Sequence, residues 1–398
     1  MAIVKSNKNC VLTINGGSSS IKFALYEIDG YLKLLFYGKM ENISTKNTKL
    51  SFTNADTHDE NSFDIKAANH TNAGNLLIDW LEKQDLFASV KAIGHRIVHG
   101  MKHAEPEIIT SELLDELKEI SAYDPEHLPG EINLIEIFQK RYPLLPQIAC
   151  FDTSFHSSMP TVAKLLPIPR RFYENGIQRY GFHGLSYAWL MEELKRIAGN
   201  ETIQDKIIVA HLGNGASIAA VKDGRSIDTS MGFTPTSGLP MGTRTGDLDP
   251  GVAWYLMQIE KLTPEQFNHL INHESGLLGI SETSSDMREL VKNKDTDSRA
   301  AEAIELFCYQ TKKWIGSYAA VLGGLDTLVF SGGIGENAPE VRDRICHGLQ
   351  FLGIELDESK NLKNEAIISS DASRVSVHVI KTNEELMIAK LVCHVLKY

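Results

Sequence analysis

Apolar residues gather in short runs at two places along the chain, and the same punctuation follows each time. CVLTI (10–14) and IKFALYEI (21–28) read as strands on either side of NGGSSS, with Asp29-Gly30 turning into a further apolar stretch. Near the middle, IIVAHL (207–212), the turn GNGAS and IAAVKDG repeat that plan, with Asp223-Gly224 in the equivalent turn. Two such units, far apart and with no short period, predict a duplicated domain rather than a solenoid. A third strand followed by a Gly-rich turn, TLVFSGGIGEN, covers 327–337. Helical spacing marks the segment after Gly130, LSYAWLMEELKRIAG, RAAEAIELFCYQTKKWIGSYAAVLGG and EELMIAKLVCHVLKY. Thr382 to Glu385 has the form of a capping box, so the last helix is expected to start at Thr382, with Glu385 as capping carboxylate and Glu384 turned elsewhere. Residues 41–75, rich in Asn, Thr, Asp and His, read as a polar excursion on the first lobe.

Length and charge narrow the function. A chain of 398 residues has room for two or three domains, and 42% apolar with 23% charged residues is an ordinary globular balance. The formal charge of −11 has no basic stripe, which argues against nucleic acid or an anionic membrane as partner. An anionic substrate must then be met by a few local cations. The five cysteines (Cys10, Cys150, Cys308, Cys346, Cys393) show no CxxC spacing and read as reduced, buried thiols. MAIVKSNKNCVLTI lacks a signal-type apolar stretch, and no run has the ~18 apolar residues of a membrane span, so the expected location is cytoplasmic.

Several segments carry candidate chemistry. Asn15-Gly16-Gly17-Ser18-Ser19-Ser20 followed by Lys22 offers backbone N–H groups, hydroxyls and an ammonium, either as a phosphate cradle or as a plain turn. No GxxxxGK[ST] is present, so it is not a Walker loop. HLGNG (211–215) and SGGIGEN (331–337) are similar, and three such turns after apolar strands suggest one nucleotide held between two lobes. Arg96, in the apolar strand GHRIVHG, needs an anion: a substrate or a structural carboxylate. Arg244 in MGTRTGDLDPG is either presented by its loop or simply solvated. Asp152 in CFDTSFH and His183 in RYGFHG each allow a surface or capping role as well as a chemical one.

Taken in order, NGGSSSIKF, GHRIVHG, FDTSFH, RYGFHG, HLGNGAS, DTSMGFTP, MGTRTGDLDPG, SSDMR, FSGGIGEN and TNEE resemble the signature segments of the acetokinase family, over nearly the whole chain. That family belongs to the actin, sugar-kinase and heat-shock-chaperone superfamily. The resemblance implies an α/β chain of two similar lobes of duplicated ribonuclease H-like (actin-like ATPase) fold, with the nucleotide in the cleft between them. Residues 1–153 with 383–398 would form the N-terminal lobe, on the phosphate and magnesium side. Residues 154–382 would form the C-terminal lobe, for nucleotide binding and dimerisation. The implied reaction is reversible transfer of the ATP γ-phosphoryl group to acetate. Asn15 and Glu384 would help hold Mg2+ or Mn2+, and Ser18, Ser20 and Lys22 would face phosphate. Arg96 and Arg244 would meet the substrate carboxylate and the transferring group, with Asp152 catalytic, His183 stabilising the transition state, and His127 and His211 near the phosphoryl path. His211, Leu212, Gly213, Asn214, Gly215, Asp286, Met287, Arg288, Gly333, Ile334, Gly335, Glu336 and Asn337 would form the ATP/ADP site. Val98, Phe182 and Pro235 match the pocket for the acyl methyl. The implied assembly is a homodimer.

Chemistry is consistent with these roles. A carboxylate is already ionised at pH 7, so the nucleophile needs no general base and the burden falls on positioning and charge neutralisation. Asp152 is then a substrate or metal-water organiser rather than a proton acceptor. Two segments depart from the family pattern: SAYDPEHLPGEI replaces Ala-Pro-Leu-His-Asn-Pro, putting Glu126 before His127, and PTSG (235–238) replaces Pro-Leu-Glu-Gly. Both lie by the expected acyl pocket, and Glu126 is expected to turn to solvent or pair with a cation. A propionate or butyrate kinase on the same scaffold is the alternative enzyme. A non-catalytic ATP-dependent binding module is the alternative of another class, and such a module has no need of Arg96 and Arg244.

Overall fold

The computed structural model describes residues 8–17, 19–43 and 47–398. The chain divides into two compact units, Met1–Ser154 with Asn383–Tyr398, and Phe155–Thr382.

In the first unit the strands are β1 (Cys10–Gly16), β2 (Ile21–Ile28), β3 (Leu32–Glu41), β4 (Lys49–Asn54), β5 (Glu60–Asp64), β6 (Val90–Ile97), β7 (Glu107–Ile108) and β8 (Gln147–Phe151). They form one sheet in the order β5-β4-β3-β2-β1-β6-β8-β7. β1 pairs antiparallel with β2 and parallel with β6, which pairs parallel with β8. Every residue of β1 is buried, as its unbroken apolar run requires of a strand covered on both faces. The helices His70–Leu81 and Leu128–Arg141 cover one face, where Leu77, Leu134 and Phe138 join Leu12, Ile14, Phe23 and Leu25 in a single core. The helix Glu384–Leu396 covers β6. A Cβ on Gly94 would lie 2.4 Å from Ile388 Cγ2, so only glycine admits that helix.

In the second unit β9 (Lys206–Leu212), β10 (Ala216–Lys222), β11 (Arg225–Thr229), β12 (Thr327–Ser331) and β13 (Ser376–Val379) take the order β11-β10-β9-β12-β13. β9 and β10, and β10 and β11, are antiparallel; β12 is parallel to both β9 and β13. This order and polarity match β3-β2-β1-β6-β8, so the duplication read from two Gly-rich hairpins extends to five strands in each unit. Asp223 (φ 51) and Gly224 (φ 70) make the β10–β11 turn, a left-handed pair that Asp-Gly adopts at low cost. Tyr187, Leu190 and Leu194 of the helix Gly184–Ala198 pack on Ile207, Val209 and Ala219. The helix Ser298–Leu322 lies against β9 and β10 and stops at Gly323, which takes the left-handed cap.

Three local expectations change. The last helix is capped by Asn383, whose side chain accepts from Leu386 N–H at 3.0 Å; Thr382 is outside it, its hydroxyl 2.7 Å from Ser186 Oγ. Asn outranks Thr as an N-cap and is one residue closer to the apolar face, so the Thr-x-x-Glu pattern is coincidental. SGGIGEN is not a turn: Gly332–Asn337 forms a short helix directly after β12. The described residues of the polar segment 41–75 include the β4–β5 hairpin, which extends the sheet edge, and the start of the helix His70–Leu81. All five residues of β5 are exposed, which explains its polar composition. Four cysteines are buried and Cys393 is partly so; all five are free thiols. Among the described residues, no helix is long and apolar enough to cross a membrane.

Candidate active site

In the first unit Asn15, Arg96, Asp152 and Glu384 come together, and the predicted residues of the second unit fall into two neighbouring sets. Arg96 is the penultimate residue of β6 and Asp152 directly follows β8, two parallel neighbours that bring both side chains to the same sheet end. Arg96 Nε and Nη2 donate to Asp152 Oδ2 at 3.0 and 2.5 Å, and Nη1 donates to Asn15 Oδ1 at 3.1 Å. The Asn15 amide in turn donates to Glu384 Oε2 (2.9 Å) and Glu385 Oε1 (3.2 Å). Burial works against the Arg96 cation, but the charges of Asp152 and Glu384 prevail and hold its pKa above the ordinary arginine value. The sequence left open whether Arg96 faces a substrate or a carboxylate; a carboxylate partner is present. Glu385, expected as a capping carboxylate, belongs to this cluster instead.

Of the phosphate-cradle residues, Ser18 lies outside the described residues. Gly17 N–H donates to Ser20 O at 2.7 Å, closing the β1–β2 turn. Lys22 is exposed on β2 opposite Asn15, and with Glu385 and Asn383 it lines a cavity of 870 Å³. Val98 is buried, its N–H donating to Glu131 Oε2 at 3.0 Å. His127 Nδ1 donates to the Asp124 carboxylate at 2.9 Å, and Glu126 is partly exposed.

In the second unit, His183 caps the helix Gly184–Ala198 with a left-handed backbone, φ 59. Its ring stacks on His211, centroids 4.3 Å apart. A Cβ on Gly215 would stand 3.3 Å from His183 Nε2 and 3.8 Å from Arg244 Nη1, so the glycine keeps the surface between imidazole and guanidinium clear. Arg244 Nη1 donates to the carbonyl of buried Pro235 at 3.2 Å, which joins a predicted charge-handling residue to a predicted pocket residue. The Phe182 carbonyl accepts from His156 Nε2 at 3.0 Å; burial pushes His156 down to about 4, so it is a neutral, structural donor.

The other set surrounds a cavity of 1410 Å³. Gly213, Asn214, Asp286, Met287, Arg288, Gly333, Ile334 and Asn337 line it, as do Glu340, Asp343 and Glu358, which the sequence did not indicate. Asp286 caps the helix Met287–Asn293 and pairs with Arg288 at 2.5 Å. Leu212 and Gly335 are buried in the fold, and Glu336 turns inward to accept from the N–H groups of Gly332 (2.9 Å) and Thr382 (3.1 Å). His211 stands with His183 rather than in the cavity wall.

Two buried charged groups escaped the sequence reading. Glu131 is 3% exposed; its Oε2 accepts from Val98, and its Oε1 has no hydrogen-bond partner among the described residues. Burial raises its pKa well above the ordinary carboxylate value, with the Arg96 charge opposing. Its spacing was a usable signal, because Leu128, Glu131, Ile132 and Ile135 occupy one buried helix face. Arg342 is fully buried and donates to Gly335 O, Asn361 Oδ1 and O, and Asn364 Oδ1, all between 2.6 and 2.8 Å. Burial lowers it to about 10, with no carboxylate partner among the described residues, and it ties the Gly332–Asn337 helix to Asn361 in the cavity wall.

A profile of the acetokinase family matches residues 10–390. The chain is 43% identical over 392 residues to an acetate kinase of Methylocella silvestris, covering 96% of each. It is 42% identical over 386 residues to a propionate kinase of Citrobacter rodentium, covering 96% of this chain and 95% of the other. The crystal structure of the Porphyromonas gingivalis acetate kinase superposes with a TM-score of 0.86 at 36% identity, over 98% of this chain and all of that one. With this coverage from end to end of the two-sheet fold, the chain belongs to the acetokinase family.

Proposed function

We propose that the chain transfers the γ-phosphoryl group of ATP to acetate, reversibly and in one in-line step, giving acetyl phosphate and ADP. The observation that carries this is Arg96, a cation held in place by Asp152 and Asn15 at the ends of three adjacent strands. It is suited to neutralising an anionic acceptor. An acetate oxygen attacks without losing a proton. Asp152 already accepts two bonds from Arg96 on Oδ2, which suits it to organising the site rather than to proton transfer.

Arg96 and Arg244 take the charge of the acceptor carboxylate and the transferring phosphoryl group. His183 donates to the oxygens that gather charge in a loose transition state, a single such donor being worth about 2.7–4 kcal/mol in one well-studied enzyme. His127 and His211 stand near the same path. The 1410 Å³ cavity takes the nucleoside part of ATP, with Ser18, Ser20 and Lys22 on phosphate. Val98, Phe182 and Pro235 enclose the acyl methyl. The first unit thus serves phosphate and metal, and the second serves nucleotide binding and dimerisation of a cytoplasmic homodimer.

Mg2+ fits the residues present. Glu384 and Glu385 place two hard carboxylate donors beside the Asn15 amide, and Glu384 is 8% exposed, a carboxylate kept from bulk water. Among the described residues, no group of three or more His, Cys, Asp and Glu forms a metal cage. Mg2+ held by one or two carboxylates and substrate phosphates needs none. Asn15 and Glu384 would hold the ion, and when bound it would neutralise phosphate charge.

The test is acetyl phosphate formation from acetate and MgATP by the purified chain, run beside propionate and butyrate. Preference for acetate supports the reading. Preference for propionate assigns the same machinery to the longer acid, and no turnover with any acid overturns it.

A further inference from the structure

His183 has its second ring nitrogen engaged in a chain of hydroxyls that the roles above leave unexplained. Ser217 Oγ lies 2.9 Å from His183 Nδ1, and Tyr187 OH lies 2.5 Å from the same oxygen. Ser217 and Tyr187 are fully buried. Ser217 is the cross-strand partner of His211 in the β9–β10 hairpin, so both side chains project from one face, and the His183 ring rests on His211. Tyr187 is one turn into the helix that His183 opens. The fold thus places hydroxyl, phenol and imidazole in line using two secondary-structure elements.

The direction of the chain follows from acidity. A phenol is a far stronger acid than an alkyl hydroxyl and is the better donor of the two. Burial raises the Tyr187 pKa further, so the phenol keeps its proton. Tyr187 therefore donates to Ser217 Oγ, and the Ser217 proton goes on to His183 Nδ1. A neutral imidazole that accepts at Nδ1 carries its hydrogen on Nε2, the nitrogen that faces Gly215 beside the Arg244 guanidinium.

We propose that Ser217 and Tyr187 are positioning residues that set His183 as the Nε2–H tautomer, so that it presents a donor, not a lone pair, toward the transferring phosphoryl group. The inference rests on the role of His183 in phosphoryl transfer proposed above. Ser186 Oγ, 2.8 Å from His211 Nδ1 and 2.7 Å from Thr382 Oγ1, supports the stacked partner from the other side. Both rings are thus held at Nδ1 by a serine.

The experiment uses the full chain with 15N-labelled histidine, the His183 signals being assigned by their loss in His183→Asn. In the wild type, Nε2 should show the protonated-type shift and Nδ1 the unprotonated type. In Ser217→Ala the two should move toward a tautomer mixture, kcat should fall about tenfold, and KM for both substrates should stay within about twofold. Ser217→Thr, which keeps a hydroxyl, should restore both readouts. Tyr187→Phe should shift the tautomer the same way while keeping the ring in the core, which covers the case in which Ser217→Ala folds poorly. An Nδ1–H tautomer in the wild type, or Ser217→Ala and Tyr187→Phe with wild-type tautomer and kcat, overturns the proposal. A His183→Asn variant with full kcat removes His183 from catalysis, and with it the catalytic half of the inference, while the tautomer assignment remains readable by itself.

Discussion

Arg96 directs two of its nitrogens, Nε and Nη2, to a single oxygen of Asp152, so the guanidinium is turned edge-on to that carboxylate and its remaining nitrogen reaches Asn15. Asp152 is completely buried, and the Arg96 side chain is 15% exposed. Arg96→Ala should cut kcat about 10²-fold or more. It should also cost about 3–5 kcal/mol of stability, because it strands a buried carboxylate. Arg244→Ala, on a loop and bound to a backbone carbonyl, should show the same order of loss in kcat with a melting temperature near the wild type and ADP binding kept. Near-normal kcat in either variant removes that arginine from the mechanism.

Val98 is held by its backbone, through the N–H donated to Glu131, and its side chain can be trimmed without disturbing that bond. Val98→Ala should raise kcat/KM for propionate and butyrate relative to acetate, by an amount within the about 1–3 kcal/mol that a methylene is worth in such a pocket. An unchanged ratio across the acid series would show that Val98 does not line the acyl pocket.

Asn383 and Glu384 are adjacent but do separate jobs. Asn383 caps the last helix, so Asn383→Ala should lower stability by about 1 kcal/mol. Glu384 instead accepts from Asn15. Glu384→Ala should lose most activity at low Mg2+ and recover part of it as Mg2+ rises, measured by initial rates over a magnesium titration. Activity independent of Mg2+, together with a lower melting temperature, would assign the residue to the helix start alone.

His95 and His156 give stability a pH dependence. Burial holds both at about 4, although His95 also donates from Nε2 to Gln147 Oε1 at 2.7 Å. The unfolded chain, with histidine near 6.5, takes up these protons first as the pH falls. Stability is therefore intact above about 6.5 and is lost progressively down to about 4, by up to about 3 kcal/mol for each histidine. Glu131 has the opposite sign, since its raised pKa makes the folded state the better proton binder above the ordinary carboxylate range. His95→Gln leaves Glu131 in place, so its melting temperature should fall less between pH 7 and 4.5 than the wild type does. Parallel curves would assign the acid sensitivity to other groups.

The strands, long helices and duplicated plan were legible because each rests on local pattern. CVLTI is a central strand by its unbroken apolar run, and GNGAS a hairpin by its glycines. Arg96 stood out because an arginine in an apolar strand demands an anion, yet Asp152 is 56 residues away, and nothing in either segment names the other. The sequence pattern sets the last helix start one residue early because Thr382 and Asn383 are both competent caps, and the hydroxyl of Thr382 is engaged by Ser186, far off in sequence. SGGIGEN was missed as a helix because Arg342 and Glu336 brace its glycines from outside and from within. Ser217 could not have been singled out, since its significance depends on a tyrosine and a histidine brought in by a separate helix.

The helix that fills the space over Gly94 has a consequence for how the protein is made. The first unit is interrupted in sequence, and that helix, Glu384–Leu396, is translated only after the whole of Phe155–Thr382. A ribosome therefore releases the second unit as a continuous stretch able to fold during synthesis, while the earlier-made sheet waits with β6 uncovered at Gly94, where Ile388 and Val392 later pack. Birth order and completion order are reversed: the half synthesised first is the half finished last, and it is the nascent first unit that a chaperone would need to shield.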